Sequence, residues 1–186
     1  MRTPLSPRTV LLHRMLLARH FAEHHAAMPF RTPDGPALPV RLGEEAMTVG
    51  VTAVLGPVDA VLVPGSPATC PSPTSVLIRF PEIGGRPAVL FEPAVDGPWP
   101  VRDNTEPVDG TDVEAVLDAA RQVLRAVRDD ACAHTLGLLL DGRADPVERL
   151  VCRMIADHEV DRQAVRAIDA DTDRRVRAAL TRGPVP

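Results

Sequence analysis

VDGTDVEAVLDAARQVLRAV, residues 108–127, sets Val113, Val116, Leu117, Ala120, Val123, Leu124 and Val127 at helical spacing. One side of the segment is therefore apolar, while the charges lie on the other. Thr111 or Asp112 stands at its start as the cap. Just downstream, TLGLLL (135–140) reads as a buried strand. Upstream, three more runs read as strands: VDAVLV (58–63), SVLIRF (75–80) and PAVLFEP (87–93), the last two separated by a Gly-Gly turn at 84–85. A long helix leading into the last strand is a crossover connection. The order of elements thus predicts an α/β fold with a parallel-type sheet flanked by helices.

Both ends of the chain read as helices. Ser6-Pro7 is a cap followed by proline at the first helical position, and Val10, Leu11, Met15, Leu16 and Phe21 continue the period, so a helix is expected over 7–28. Residues 29–39 hold four prolines and a glycine and read as a connector. A second helix should start near Glu44 and stop at Gly56-Pro57. Asp145-Pro146 opens a helix to about His158, and Asp161 opens another to about Leu180. Between these blocks, 64–75 carries four prolines and cannot be helix or central strand, and 93–107 is loop-like.

The chain has 186 residues, enough for one domain to bury about 70% of its unfolded surface. A single domain over 1–186 is expected, with 64–107 as its loop-rich part. Hydrophobic residues make up 45% and charged residues 25%, a composition of ordinary globular proteins. The net charge is −4, with no basic run or aromatic platform, which argues against a nucleic-acid partner. The first apolar run is broken by His13, Arg14, Arg19 and His20, so it is neither a signal peptide nor a membrane span. Cys70, Cys132 and Cys152 lack CxxC spacing, which argues against a disulfide framework or zinc site and favours the cytoplasm.

Several residues invite a chemical reading. His20 and His24 lie four apart on the first helix, with His13 nearby, a spacing that can present two imidazoles to a metal. Without a third ligand in view they read instead as a polar helix face, and no metal site is assigned. Glu44 and Glu45 open the second helix, where carboxylates complement the helix dipole; a capping role outranks general-base duty there. Cys70 sits among Ser66, Ser72 and Ser75 with no His or acid close in sequence, so nothing activates it as a nucleophile. Cys132 and Cys152 read as buried small apolar residues. Trp99, flanked by prolines, is a candidate anchor for a partner surface or a lid over the core.

Residues 11–55 (LLHRMLLARHFAEHHAAM, then RLGEEAMTVGVTAVL), 108–120 (VDGTDVEAVLDAA) and 145–180 (from DPVERLVCRMIADHEVD) carry a family likeness. They resemble the first helices, last crossover helix and closing helices of the alpha subunit of thiamine-diphosphate-dependent 2-oxo acid dehydrogenases of the pyruvate dehydrogenase type. The matching positions are Arg14, Met15, Leu17, Arg19 and Phe21, then Gly43, Glu45, Ala46 and Gly50, then Asp145-Pro146 with Glu148, Arg149 and Leu150. The resemblance implies a reduced transketolase-like, thiamine-diphosphate-binding-type parallel sheet. It also implies a diphosphate bound through a divalent metal held by hard oxygen ligands. The family's Gly-Asp-Gly motif is missing here, as are its Tyr-Arg and His after the strand that VDAVLV resembles, where PGSPATC stands. LLLDGRADP (138–146) replaces its His-Ser loop. The strand bearing its metal-ligating Asn is similar to 88–97, which sets Asp96 at the matching position. Asp96 is the one cofactor-site residue that the resemblance assigns.

The resemblance therefore implies a degenerate alpha-type subunit that binds no cofactor alone and partners a beta-like subunit or itself. In a second reading the chain contributes to a split decarboxylase or carboligase, with thiamine diphosphate and magnesium bound only in a complex whose phosphate-binding motif lies on another chain. A third is a stand-alone binding module. A sheet stripped of strands exposes edges that need covering, which favours association in each case.

Overall fold

The computed structural model describes residues 6–24, 30–31, 37–38, 41–55, 60–62, 74–83, 86–93, 101–103, 107–130, 132–140 and 142–181. Helix α1 (Pro7–His24) is followed by a short antiparallel pair, β1 (Phe30–Arg31) and β2 (Ala37–Leu38), and by α2 (Glu45–Thr52). Then come β3 (Ala60–Leu62), β4 (Thr74–Ile83), β5 (Arg86–Pro93), β6 (Val101–Asp103) and β7 (Val108–Asp109). Helix α3 (Val113–Asp130), strand β8 (Ala133–Leu139) and helices α4 (Pro146–Ala156) and α5 (Arg162–Thr181) complete the chain. None of the described helices is long and apolar enough to cross a membrane.

The class is mixed α/β, and the expectation of a parallel sheet is corrected. The strands lie in the order β3-β4-β5-β8-β6, with β7 also paired to β8. β3 is parallel to β4, and β6 and β7 are parallel to β8, but β5 runs antiparallel to both β4 and β8. The cause is covalent: β4 ends at Ile83, β5 begins at Arg86, and these two residues pair. Two intervening residues can make a hairpin, whereas a parallel crossover needs a dozen or more. The crossover expected through residues 108–140 is present, since α3 joins the parallel strands β7 and β8. Along β4 the register shifts between Arg79 and Ile83, bracketing Pro81, whose missing N–H is tolerated at such an irregularity.

Helix starts follow their caps. The Asp112 carboxylate accepts from the Glu114 and Ala115 N–H groups, Asp145 from Val147 and Glu148, and Asp161 from Ala164. Ser6 Oγ accepts from the Thr9 N–H. Helix α4 ends with His158 in left-handed backbone (φ 59°). There the Glu159 N–H reaches the Met154 carbonyl and the His158 N–H the Ile155 carbonyl, a Schellman closure. Helix α1 is described to His24, so the last part of its expected span, like Gly56-Pro57 and most of the proline-rich stretch, lies outside the described residues.

Among the described residues, two apolar clusters form the core. One packs α1 (Leu11, Leu12, Met15, Leu16) against Ala46 and Val49 of α2 and Val147, Leu150 and Met154 of α4. The other packs Met47 and Val51 of α2 and one side of α3 against Val89, Phe91, Leu136 and Leu138 of the sheet. Residues 45–51 of α2 are all buried, because this short helix lies between the two clusters.

A charge web ties the helical layer together. Arg8 pairs with Glu114, Asp157 and Glu159; Arg153 with Asp112 and Glu114; Arg149 with Asp109 and Asp112. Burial alone would raise the Asp112 pKa, but the Arg153 hydrogen bond, the Ala115 N–H and the charge of Arg149 outweigh it and hold Asp112 below its usual value. A carboxylate depressed in this way supports folding above its unfolded pKa, about 3.9, and loses that contribution as pH falls through the lower folded value. Asp112→Asn, which preserves the cap, is expected to lower stability at neutral pH and to flatten the loss as pH falls below about 4. Thermal melts across that range read the slope, and an unchanged acid limb would remove Asp112 from the account.

Candidate functional site

A cleft of about 380 Å³ opens between the C-terminal half of α1, the start of α2 and the turn before α4. Its lining includes Arg19, Glu23, Leu42, Gly43, Glu45 and Asp145. Glu45 is wholly buried. Its Oε1 accepts from Arg19 Nε at 3.0 Å and its Oε2 from the Gly43 N–H at 3.0 Å. Arg19 also grips Asp145 with both terminal nitrogens, at 3.0 and 2.7 Å. Asp145 in turn caps α4. Burial would raise the Asp145 pKa, yet Arg19 and the Glu148 and Val147 N–H groups hold it below its usual range.

Every guanidinium nitrogen of Arg19 and both Glu45 oxygens are engaged in this arrangement, each nitrogen donating to a carboxylate and each oxygen accepting a bond. A buried carboxylate held by Arg19 and by the Gly43 N–H serves the placement of α1 and α2. Leu42, by contrast, is well exposed at the rim of the cleft.

Glu44 behaves differently from its neighbour. It stands at the N-cap of α2 without making a side-chain cap, and its Oε2 is buried with no hydrogen-bond partner. Of the two glutamates expected to cap, neither makes a side-chain cap of α2; Glu45 lies in its first turn and reaches back to the Gly43 N–H, which precedes the helix. Burial pushes the Glu44 pKa up, opposed by Arg41 and assisted by Glu45. A group raised on folding supports the folded state below its unfolded pKa and loses that contribution as pH rises through the folded one. Glu44→Gln is accordingly expected to raise the melting temperature at pH 7 and to leave it unchanged near pH 3, where the wild-type carboxyl is already neutral. An equal shift at both pH values would show that the charge is not the cause.

The other sequence candidates do not gather at the cleft. His20 and His24 face carboxylates of α5. Among the described residues, no three His, Cys, Asp or Glu side chains converge as a metal site would require. Cys152 is exposed and Cys132 half-buried, which corrects the expectation that both are buried: Cys152 falls on the outer side of α4, whose inward positions are Val147, Leu150 and Met154. Asp96, Cys70 and Trp99 lie outside the described residues. The sequence signal for Asp145 was its Asp-Pro cap. Leu42 and the Gly142–Ala144 turn carried none, because a rim is defined by what folds around it.

Within the cleft the described groups do not suit a diphosphate with its metal. Glu23, Glu45 and Asp145 would repel the phosphates; of the two arginines that line the cleft, Arg19 is committed to two of these carboxylates and Arg143 is engaged in an interaction of its own. Compared with models of known protein families, with characterised proteins and with solved structures, the chain matches none.

Proposed function

We propose that this chain is a shortened, non-catalytic relative of the alpha subunit of thiamine-diphosphate-dependent 2-oxo acid dehydrogenases, acting as a structural or regulatory partner of a beta-like subunit. One observation carries the reading. Arg19, Glu45 and Asp145 come from three separate stretches that bear the family likeness, and they meet in one bonded cluster in which each serves helix placement. Residues kept for packing, beside a cleft that does not suit a diphosphate, are what a subunit retaining its assembly role without its chemistry would carry. The reduced transketolase-like sheet belongs to the same proposal, with β5 reversed by its hairpin.

The test is co-expression with a beta-like subunit of a thiamine-diphosphate enzyme, followed by light scattering. Calorimetry with thiamine diphosphate and magnesium is then run on the chain alone and on the complex. A stable complex without binding in either sample is the expected result. No complex would overturn the proposal, and binding in the complex alone would replace it with the split-enzyme reading.

A further inference from the structure

We propose that the outward side of α1, centred on Arg14, is the docking surface for the partner subunit, which covers it with an amphipathic helix carrying a carboxylate between apolar side chains. This inference rests on the partner reading above and adds where that partner sits and what it presents. It starts from the distribution of apolar residues on α1. They lie on every side of this helix except the line of His13, His20 and His24, whereas those of α3 keep to one side. A helix that is apolar nearly all round belongs in a place where nearly all of it is covered.

Among the described residues, one side of α1 is left open. Its buried positions, among them Leu11, Leu12, Met15 and Ala18, pack with α2 and α4. The histidine line meets Asp169 and Asp173 of α5. What remains is Val10, Arg14 and Leu17, which steps of about 100° per residue set within a sector of about 60°. The short β1 also touches α1, yet Val10 stays 38% exposed, and Arg14 and Leu17 are half-buried.

Charge decides what covers this side. The other arginines of α1 hold acids: Arg8 pairs with Glu114, Asp157 and Glu159, and Arg19 with Glu45 and Asp145. Arg14 makes no hydrogen bond or ion pair among the described residues. Half-buried, its guanidinium still reaches water. A covering partner removes that water, and the uncompensated charge then opposes association unless the partner brings a carboxylate. Val10 and Leu17 stand about one turn before and after Arg14, so the matching surface is a helix with apolar side chains on either side of an Asp or Glu. A second copy of this chain does not meet that need. A two-fold contact sets one patch against itself, and this patch holds a cation and no carboxylate, so like charges would meet.

Titration of the purified full chain with the beta-like subunit, followed by light scattering and calorimetry, tests the surface. Arg14→Glu is expected to weaken the complex about thirtyfold or more, the scale of breaking a covered charge pair. Arg14→Lys, which keeps the charge, should weaken it less, and Val10→Asp should weaken it as well. Arg174→Glu makes the same charge change on α5, at a side chain 71% exposed, and should leave the affinity unchanged. Circular dichroism checks that each variant folds. A complex indifferent to Arg14→Glu or, should that variant not fold, to Val10→Asp would overturn this inference and leave the partner reading standing. Equal weakening by Arg174→Glu would overturn it too, since net charge would then be the cause. So would a dimer of the chain alone that Val10→Asp dissociates, which would give the face to a second copy. Absence of any complex with the wild-type chain would overturn the partner reading, and this inference with it.

Discussion

Replacing Arg19 by methionine is expected to lower the free energy of unfolding by about 3–5 kcal/mol, the scale measured when one partner of a buried ion pair is removed. The cost arises at Glu45. Its carboxylate has no exposure to solvent, and without Arg19 it keeps a single bond, from the Gly43 N–H. The Asp145 side of the bridge contributes less, because that carboxylate is 42% exposed and water can replace the guanidinium. Domains are stable by about 5–15 kcal/mol, so the variant is left near the edge of folding. The double variant Arg19→Met/Glu45→Gln separates the causes. Its neutral amide can still accept from Gly43, so most of the loss should be recovered if the uncompensated charge is what destabilises. Urea unfolding of the single and double variants measures both. A single-variant loss below about 1 kcal/mol would mean that Glu45 finds another partner or reaches water.

The same cluster shows which parts of the fold could be read from sequence. Asp112, Asp145 and Asp161 were legible as helix starts because a cap acts within three residues, and each does accept the expected N–H bonds. The apolar face of α3 was legible for a similar reason, its period being local. Arg19, Glu45 and Asp145 matched a family pattern, but their bonding did not show, since the partners are 26 and 126 residues apart. Glu44 and Glu45 are adjacent and chemically identical, and what separates them is that the fold sets Arg19 and the Gly43 N–H beside Glu45 and leaves the buried Glu44 Oε2 without a partner. The direction of β5 was within reach: a Gly-Gly turn between the apolar runs 75–80 and 87–93 signals a hairpin. The parallel reading came from the helix order, which is correct for β7, α3 and β8 but says nothing about the neighbour across β8.

Sequence pattern and packing also disagree about Gly50, and magnitudes decide between them. In an ordinary helix interior, Gly→Ala stabilises by about 0.5–1 kcal/mol, because alanine loses less backbone entropy on folding. Helix α2 offers no such room. A Cβ on Gly50 would stand 2.7 Å from Val116 Cγ1, 2.9 Å from Val116 Cβ and 3.1 Å from the Leu117 backbone nitrogen. A β-branched side chain has little rotamer freedom in a helix, and a backbone nitrogen moves only with its helix. Relief therefore requires α2 and α3 to separate, although α2 is anchored in both core clusters, by Ala46 and Val49 in one and by Met47 and Val51 in the other. Overpacking of this kind costs about 1–3 kcal/mol, which exceeds the gain in helix propensity. Gly50→Ala is thus expected to destabilise the chain by about 1–2 kcal/mol net, read by urea unfolding. Gly50→Val should be worse, since it adds two more methyl groups at the closest approach. Val116→Ala removes Cγ1 but leaves the Cβ and Leu117 contacts, so in combination with Gly50→Ala it should restore part of the loss. An alanine variant more stable than the wild type would show that α2 and α3 are not in such close contact, and the link that α2 makes between the two clusters would have to be redrawn.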